Sequence, residues 1–233
     1  MAQHYGALPI VTDGLVLLLD AGDKTSYPGT GTTWTDLSGN GNNGTLSAAA
    51  IGTDISGGMD FNGSDEYVSI ADSTDWSFGT SDFAIEWWMK ANDTSQTDYA
   101  GYIGTFVDHW SAENWIIMNS TTGTNIRLYA VDASSNEGQL APYWNLGTTN
   151  WYHLCLTRVG DTGYLYSSGI QKETGDLTGK GVDSGDGNAL QIGRAGGVYA
   201  NVNIPIVRIY KGRSLSVPEV LQNFNAQRGR FGV

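Results

Sequence analysis

Asp36, Ser38 and Asn40, followed by Gly41, alternate oxygen-bearing side chains as the opening of an EF-hand calcium loop does. Such spacing could place three oxygens around one hard cation. The twelfth position from Asp36 is Ser47 where that loop needs a bidentate Glu, and the flanks are not helical. The alternative for the same residues is a turn held by side-chain to backbone hydrogen bonds. A second oxygen-rich run, residues 183–188, offers the same two readings more weakly. Calcium is the one candidate cofactor; none is required.

Catalytic patterns fail one by one. Sandwich glycosidases of the retaining type need two carboxylates close together, as an E-x-D-x-E strand face supplies them. Here Glu86 stands alone between Ile85 and Trp87. No G-x-S-x-G elbow, H-E-x-x-H helix or paired-cysteine zinc motif is present. His109 and His153 lie in strand-like runs, where a single histidine is a structural residue more often than a catalyst. The stretch from Gly175 to Gly181 resembles a phosphate loop but lacks one spacer and the Ser or Thr after Lys180. No enzymatic activity is expected. Aromatic side chains could instead stack on sugar rings, and Trp110 and Trp144 are the candidates because both neighbour loop-like sequence.

Charge narrows the partners. The formal net charge is −12, yet residues 1–126 hold 16 acids against Lys24 and Lys90, while residues 127–233 hold eight acids against ten bases. An acidic body repels phosphate backbones, so nucleic acid is not an expected partner. From residue 187 onward Glu219 is the only acid, opposed by Arg194, Arg208, Lys211, Arg213, Arg228 and Arg230. This basic end reads either as a solvated face pairing with the acidic half or as a docking patch. Arg213, Arg228, Arg230 and Phe231 are the docking candidates. The longest apolar run, Leu15 to Leu19, is too short for membrane insertion. The start lacks a basic n-region and an apolar stretch, so no secretory signal is expected. The sequons at Asn43, Asn62, Asn92 and Asn119 then carry little weight. Cys155 is the single cysteine, which leaves no intramolecular disulfide.

The elements that must position these residues are strands. Gly residues number 32, charged residues are 15% of the chain, and Asn, Ser and Thr fill the intervals; that mix favours short strands and tight turns. Residues 14–20 are apolar on both faces, which predicts a central strand. Residues 29–45 read as loop. Period-two alternation marks residues 66–70, 83–90, 102–107, 115–118, 126–131, 151–159, 164–166, 189–192 and 204–210. Phe83, Ile85, Trp87 and Met89 share one face of the second of these. Pro205 predicts an edge or a bulge. Ser216-Val217-Pro218-Glu219 predicts a capped helix with Val217, Val220, Leu221 and Phe224 on its apolar face. About ten strands with regular turns predict an all-β antiparallel sandwich with one short C-terminal helix.

Several of these segments together resemble a known family. Residues 61–70 and 83–90 look like the early strands of the laminin-G-like, concanavalin A-like jelly roll. Residues 151–158, 164–166, 190–194 and 207–210 look like its later ones. Ser167-Ser168-Gly169 departs from the Asn or Asp that usually precedes Gly in one hairpin. The resemblance implies an arm (1–13), a jelly-roll domain (14–226) and a basic tail (227–233). The two ends, Ile10 to Gly22 with the Asp36 loop, and Leu221 to Phe231, are similar to virion proteins of tailed bacteriophages. That similarity implies a non-enzymatic capsid decoration or fibre component, assembled in the host cytoplasm and docked on other virion proteins through its arm and tail. The alternative is an adhesin that binds a host surface glycan. The oligomeric state stays open, because no heptad specifies one.

Overall fold

The computed structural model describes residues 9–48, 52–53, 57–93, 98–105, 113–119, 125–140, 146 and 150–233. The first strands are β1 (Leu15–Asp20), β2 (Thr33–Trp34), β3 (Gly44–Leu46), β4 (Gly52–Thr53), β5 (Met59–Asn62) and β6 (Val68–Ile70). Next come β7 (Phe83–Ala91), β8 (Gly101–Gly104), β9 (Asn114–Met118), β10 (Arg127–Val131), β11 (Glu137–Leu140) and β12 (Tyr152–Val159). The last are β13 (Thr162–Ser167), β14 (Ile170–Asp176), β15 (Leu190–Ile192), β16 (Arg194–Ala195), β17 (Val198–Tyr199) and β18 (Asn201–Lys211), followed by helix α1 (Val217–Phe231).

Two antiparallel sheets stack as a sandwich. The first runs β14-β13-β12-β7-β18-β5-β4, with β1 also on β18; the second runs β11-β10-β9-β8-β15-β6-β3-β2. Period-two alternation decides what fills the space between them. Phe83, Ile85, Trp87 and Met89 from β7 share one core with Leu154, Leu156, Val207 and Ile209, and with Trp115, Ile117, Leu128, Leu190 and Ile192 of the second sheet. The expected all-β antiparallel sandwich with a C-terminal helix is the observed architecture.

The opposite face of the first sheet is also buried, and there the side chains are not all apolar. Glu86 is fully buried. Its Oε1 accepts from His153 Nε2 and Arg208 Nη1, each at 2.6 Å, and its Oε2 accepts from Asn223 Nδ2 at 2.6 Å. Asn223 belongs to α1, and its Oδ1 accepts from the Val11 N–H at 2.8 Å. Arg208 Nη2 reaches Gln227 one helical turn further on, at 2.5 Å. Around this polar centre Trp88 stacks on Phe231 at 4.1 Å and on Phe224 at 5.8 Å between ring centroids. Burial pushes the Glu86 carboxyl up, but the charges of Arg208 and His153 and the bonds from His153 and Asn223 outweigh it and hold the group below the ordinary glutamate range.

Four expectations change. First, β1 is not central: it pairs with β18 alone. Its apolar character comes from packing on both faces, since Leu17 and Leu19 enter the main core and Leu15 packs toward Tyr210 and Val220. Second, residues 29–45 contain β2 and the start of β3, and Trp34 is a fully buried core residue. Third, the apolar face of α1 is Val220, Phe224 and Phe231 with Asn223 between them, while Val217 and Leu221 are about half exposed. Fourth, residues 227–231 are no tail, because they form the last turn and a half of α1. The capping box stands as read, with Glu219 accepting from the Ser216 N–H at 2.8 Å. Pro205 sits at a bulge, where the β18–β7 register shifts between Asn203 and Ile206. Ser168 takes a positive φ of 51° before Gly169 at 77°, so Ser fills the turn position that Asn usually holds.

Removing one partner of a buried charge pair leaves the other uncompensated. Glu86→Ala is therefore expected to lower unfolding free energy by about 3–5 kcal/mol in urea titrations. Deleting residues 227–233 removes the Phe231 stack, and a loss of about 3 kcal/mol or more is expected in the same titration.

Candidate functional site

The structure gives the Asp36 loop a task other than the one its spacing suggests. Asp36 Oδ1 accepts from the N–H groups of Leu18 and Ser38, both at 2.9 Å. Its Oδ2 accepts from Ser38 Oγ at 2.7 Å and from the Asn42 N–H at 3.0 Å. A carboxylate offers about four acceptor positions, and these four donors fill them. Asn40 turns its amide nitrogen inward, to the Val16 carbonyl at 3.3 Å, and Asn42 does the same at 3.0 Å. The Leu37 N–H reaches the Leu18 carbonyl at 2.8 Å. The loop thus satisfies the edge of β1 that no strand pairs, with side chains standing in for a neighbouring strand. Residues 183–188 are used similarly: Asp183 Oδ1 accepts from the Gly79 N–H at 2.9 Å. Among the described residues no three His, Cys, Asp or Glu side chains group to hold a metal.

The docking residues are mostly engaged within the chain. Arg213 pairs with Asp13 at 2.7 Å and with Glu219. Arg230 pairs with Asp20 at 2.5 Å and reaches the Gly57 carbonyl at 3.3 Å. Phe231 is buried on Trp88. Arg228 is exposed, its guanidinium 5.8 Å from the Phe224 ring centre. Of the two charge readings, pairing with the acidic half describes Arg213 and Arg230. Trp110, Trp144 and His109 lie outside the described residues. His153 is the bonded structural histidine described above.

A surface that sequence reasoning missed lies on the outer face of the second sheet. Its residues follow from register: Thr33 opposes Thr45, Thr45 opposes Ser69, Ser69 opposes Gln191, and Gln191 opposes Gly104. The row continues through Ile116 to Tyr129. Their chain neighbours Trp34, Leu46, Val68, Ile70, Leu190 and Ile192 point into the core, so this row points out. Ile116 and Tyr129 are buried, whereas Thr33 and Thr45 are exposed and Ser69 and Gln191 half-buried. The row is therefore open over β2, β3, β6 and β15.

Beside the open half stands a small aromatic and cationic stack. Arg194 and Tyr199 are directly opposed in the β16–β17 hairpin. Gly196 and Gly197, at φ 53° and 83°, close it as the two-residue turn that needs positive φ twice. The hairpin lies on β8, where Gly101 admits it: a Cβ at Gly101 would sit 2.5 Å from that of Ala195. The Arg194 guanidinium is 4.7 Å from the Tyr67 ring centre and 5.2 Å from that of Tyr199. The two rings are 6.2 Å apart and tilted by 58°, and both tyrosines are half-buried. Near the start of β8, Tyr99 is 53% exposed with φ at 63°, a conformation costly for a bulky residue. The signal available in sequence was Arg-Ala-Gly-Gly-Val-Tyr, a glycine pair between two short apolar-polar runs.

Because the acceptor positions of Asp36 are already filled, a chelator is expected to leave the melting temperature unchanged. Asp36→Ala is expected to cost about 2 kcal/mol or more, since it orphans the Leu18 and Asn42 N–H groups. Differential scanning calorimetry with and without chelator, on both proteins, checks the pair.

A family model for laminin-G-type domains of the concanavalin A-like lectin/glucanases superfamily matches residues 61–221. No curated protein sequence matches the chain. Among solved structures, the binding domain of Paraclostridial Mosquitocidal Protein 1 has a TM-score of 0.69 at 17% identity, covering 92% of this chain and 52% of that one. The botulinum neurotoxin serotype D ligand-binding domain in complex with N-acetylneuraminic acid has a TM-score of 0.70 at 14% identity, covering 93% and 52%. Domain 4 of AbnA, a GH43 extracellular arabinanase from Geobacillus stearothermophilus, was solved in complex with arabinotriose. It has a TM-score of 0.68 at 17% identity, covering 91% and 98%. The chain spans about half the length of the toxin domains and nearly all of the arabinanase domain, and at these identities the likeness is one of fold. With its family model matching well over half of its length, the chain belongs to the concanavalin A-like lectin/glucanases superfamily.

Proposed function

We propose that the chain is a non-catalytic glycan-binding module. Its contact surface is the open half of the second sheet together with the Tyr67–Arg194–Tyr199 stack. The observation that carries the reading is the combination on one face of half-exposed aromatic rings with neutral hydrogen-bonding side chains. Thr33, Thr45, Ser69 and Gln191 offer donors and acceptors at strand spacing, about 4.8 Å apart, which suits the hydroxyls of an extended sugar chain. Tyrosine rings supply rigid apolar area with a polar tip. Two of the similar structures carry a sugar ligand in their own right, N-acetylneuraminic acid in one and arabinotriose in the other. The non-catalytic part of the reading draws on Glu86: the buried carboxylate is bonded on both oxygens and covered by α1.

A virion role stands as the second reading, supported by the similarity of the two chain ends to phage virion proteins. Those ends lie side by side, Gln222 donating to the Pro9 carbonyl at 2.6 Å. A glycan-binding module carried on a particle would join the two readings. Arg228, rather than Arg213, Arg230 or Phe231, is then the docking residue that the fold leaves exposed. Loss of particle co-sedimentation in Arg228→Glu is the outcome expected of that role.

Tyr67→Ala and Tyr199→Ala are each expected to weaken glycan binding about tenfold or more, ~1.4 kcal/mol, with the melting temperature changing little. Isothermal titration against a glycan panel that includes arabinotriose and sialyllactose measures it. Wild-type affinity in both variants, with loss in Trp110→Ala or Trp144→Ala, would move the contact surface elsewhere.

A further inference from the structure

We propose that the glycan bound on this face carries a carboxylate, and that Arg194 is the residue that reads it. The inference rests on the glycan-binding reading and deepens it, because it names the sugar class. It starts from a cation without a counter-ion. The chain has 24 acids against 12 bases, and several of its arginines are held by acids. Arg213 and Arg230 each hold a carboxylate, and Arg208 holds Glu86. Among the described residues no carboxylate lies within ion-pair distance of Arg194.

The carboxylates nearest to Tyr67 in sequence are committed elsewhere. Glu66 accepts from the Asn62 N–H at 2.9 Å, and Asp65 from Asn62 Nδ2 at 2.8 Å. From residue 187 onward the one acid, Glu219, is bound to Arg213. The open row itself, Thr33, Thr45, Ser69 and Gln191, carries no charge.

Geometry decides which edge of the guanidinium is presented. Arg194 Nε is buried and has no hydrogen-bond partner. The two Nη groups are not among the buried unpartnered atoms, and among the described residues no acceptor holds them, so they keep contact with solvent. The rings of Tyr67 and Tyr199 hold the planar group while leaving its outer edge open. An end-on fork of two parallel N–H donors matches a carboxylate. A stacked arginine is also pre-organised, so less rotamer entropy is lost when the ligand arrives.

A second cation shares the face. Gly101, beneath the hairpin, pairs with Met118, and Met118 pairs with Arg127. That places Arg127 two strand spacings away, about 10 Å. Its guanidinium lies 5.8 Å from the Tyr129 ring centre, and it too has no ion pair among the described residues. Arg127 stands at the covered end of this face, with Glu137 beside Tyr129, so Arg194 is the cation that borders the open row.

The experiment compares matched ligands on the intact protein: trigalacturonate and its methyl ester, 3′-sialyllactose and lactose, and sulfated lactose. Affinities are measured by titration calorimetry at two salt concentrations for the wild type, Arg194→Gln, Arg194→Lys and Tyr199→Ala. The wild type is expected to prefer an acid over its uncharged partner at least tenfold, with the preference shrinking in salt. In Arg194→Gln that ratio should fall to about one, and Arg194→Lys should recover only part of it, since lysine keeps the charge without the fork. Circular dichroism on each variant separates lost recognition from lost fold. Equal affinity for acid and ester, or an unchanged ratio in Arg194→Gln, would overturn the carboxylate assignment. If Tyr199→Ala still weakened binding, the glycan-binding reading would survive that result. Preference for sulfated lactose over both carboxylates would reassign the anion. No binding of any ligand would overturn both readings.

Discussion

The carboxylate of Glu86 ties helix α1, and through it the segment before β1, to a sheet with which neither shares a strand ladder. It sits on a central strand of the first sheet, with His153 and Arg208 on the flanking strands β12 and β18 and Asn223 reaching down from α1. Because a carboxylate only accepts, His153 Nε2 must carry the proton it shares. Asn223 then uses its other end for the Val11 N–H. Tyr210 accepts from Asn223 and donates to the Val11 carbonyl at 3.0 Å. Four segments meet at one charge, and the Val11 segment joins them through Asn223 and Tyr210. The cost of burying that charge is offset only if every partner is in place, so the arrangement favours one docking position for the helix over its slid alternatives.

The two faces of the sandwich are finished by different physics. On the first sheet a helix and the segment before β1 cover a polar centre ringed by Trp88, Phe224, Phe231 and Tyr210. The same covering explains Cys155, which is fully buried there; burial and the nearby Glu86 charge push its thiol well up, making it unreactive. On the second sheet the covering is partial. Tyr129, at its buried end, has its hydroxyl pushed up to about 12 by burial and by Glu137, while Thr33 and Thr45 at the other end stand in solvent. A sheet covered over part of its width leaves a ledge, and the β16–β17 hairpin stands beside it.

What was legible in the sequence was whatever follows from period two and from local capping. Residues 83–90 and 151–159 declared both their faces, and Ser216 with Glu219 declared where the helix begins. The errors have a common cause, which is satisfaction of polar groups by distant partners. Asn223 and Gln227 bond Glu86 and Arg208 beneath the helix, and nothing local in the sequence shows those partners. Leu15 to Leu19 read as a central strand because a loop of Asp, Ser and Asn side chains, not another strand, pairs their free edge. Asp36 and its neighbours carried two readings, a calcium loop and a turn bonded to its own backbone, since alternating oxygens suit backbone N–H groups as well as a cation. The stack at Arg194 needed the partner Tyr67, more than a hundred residues earlier, before its rings could be recognised as a site.

The segment running into β1 and the last turns of α1 lie together on the covered sheet, behind the molecule as seen from the ledge. Whatever is joined after α1, by fusion or by assembly, is therefore attached on the side away from Tyr67, Arg194 and Tyr199. An immobilised copy tethered through its C-terminal residues would present its ledge outward without the linker having to pass in front of it. Many such copies on one support would all face the same way, and weak individual contacts could then add as avidity.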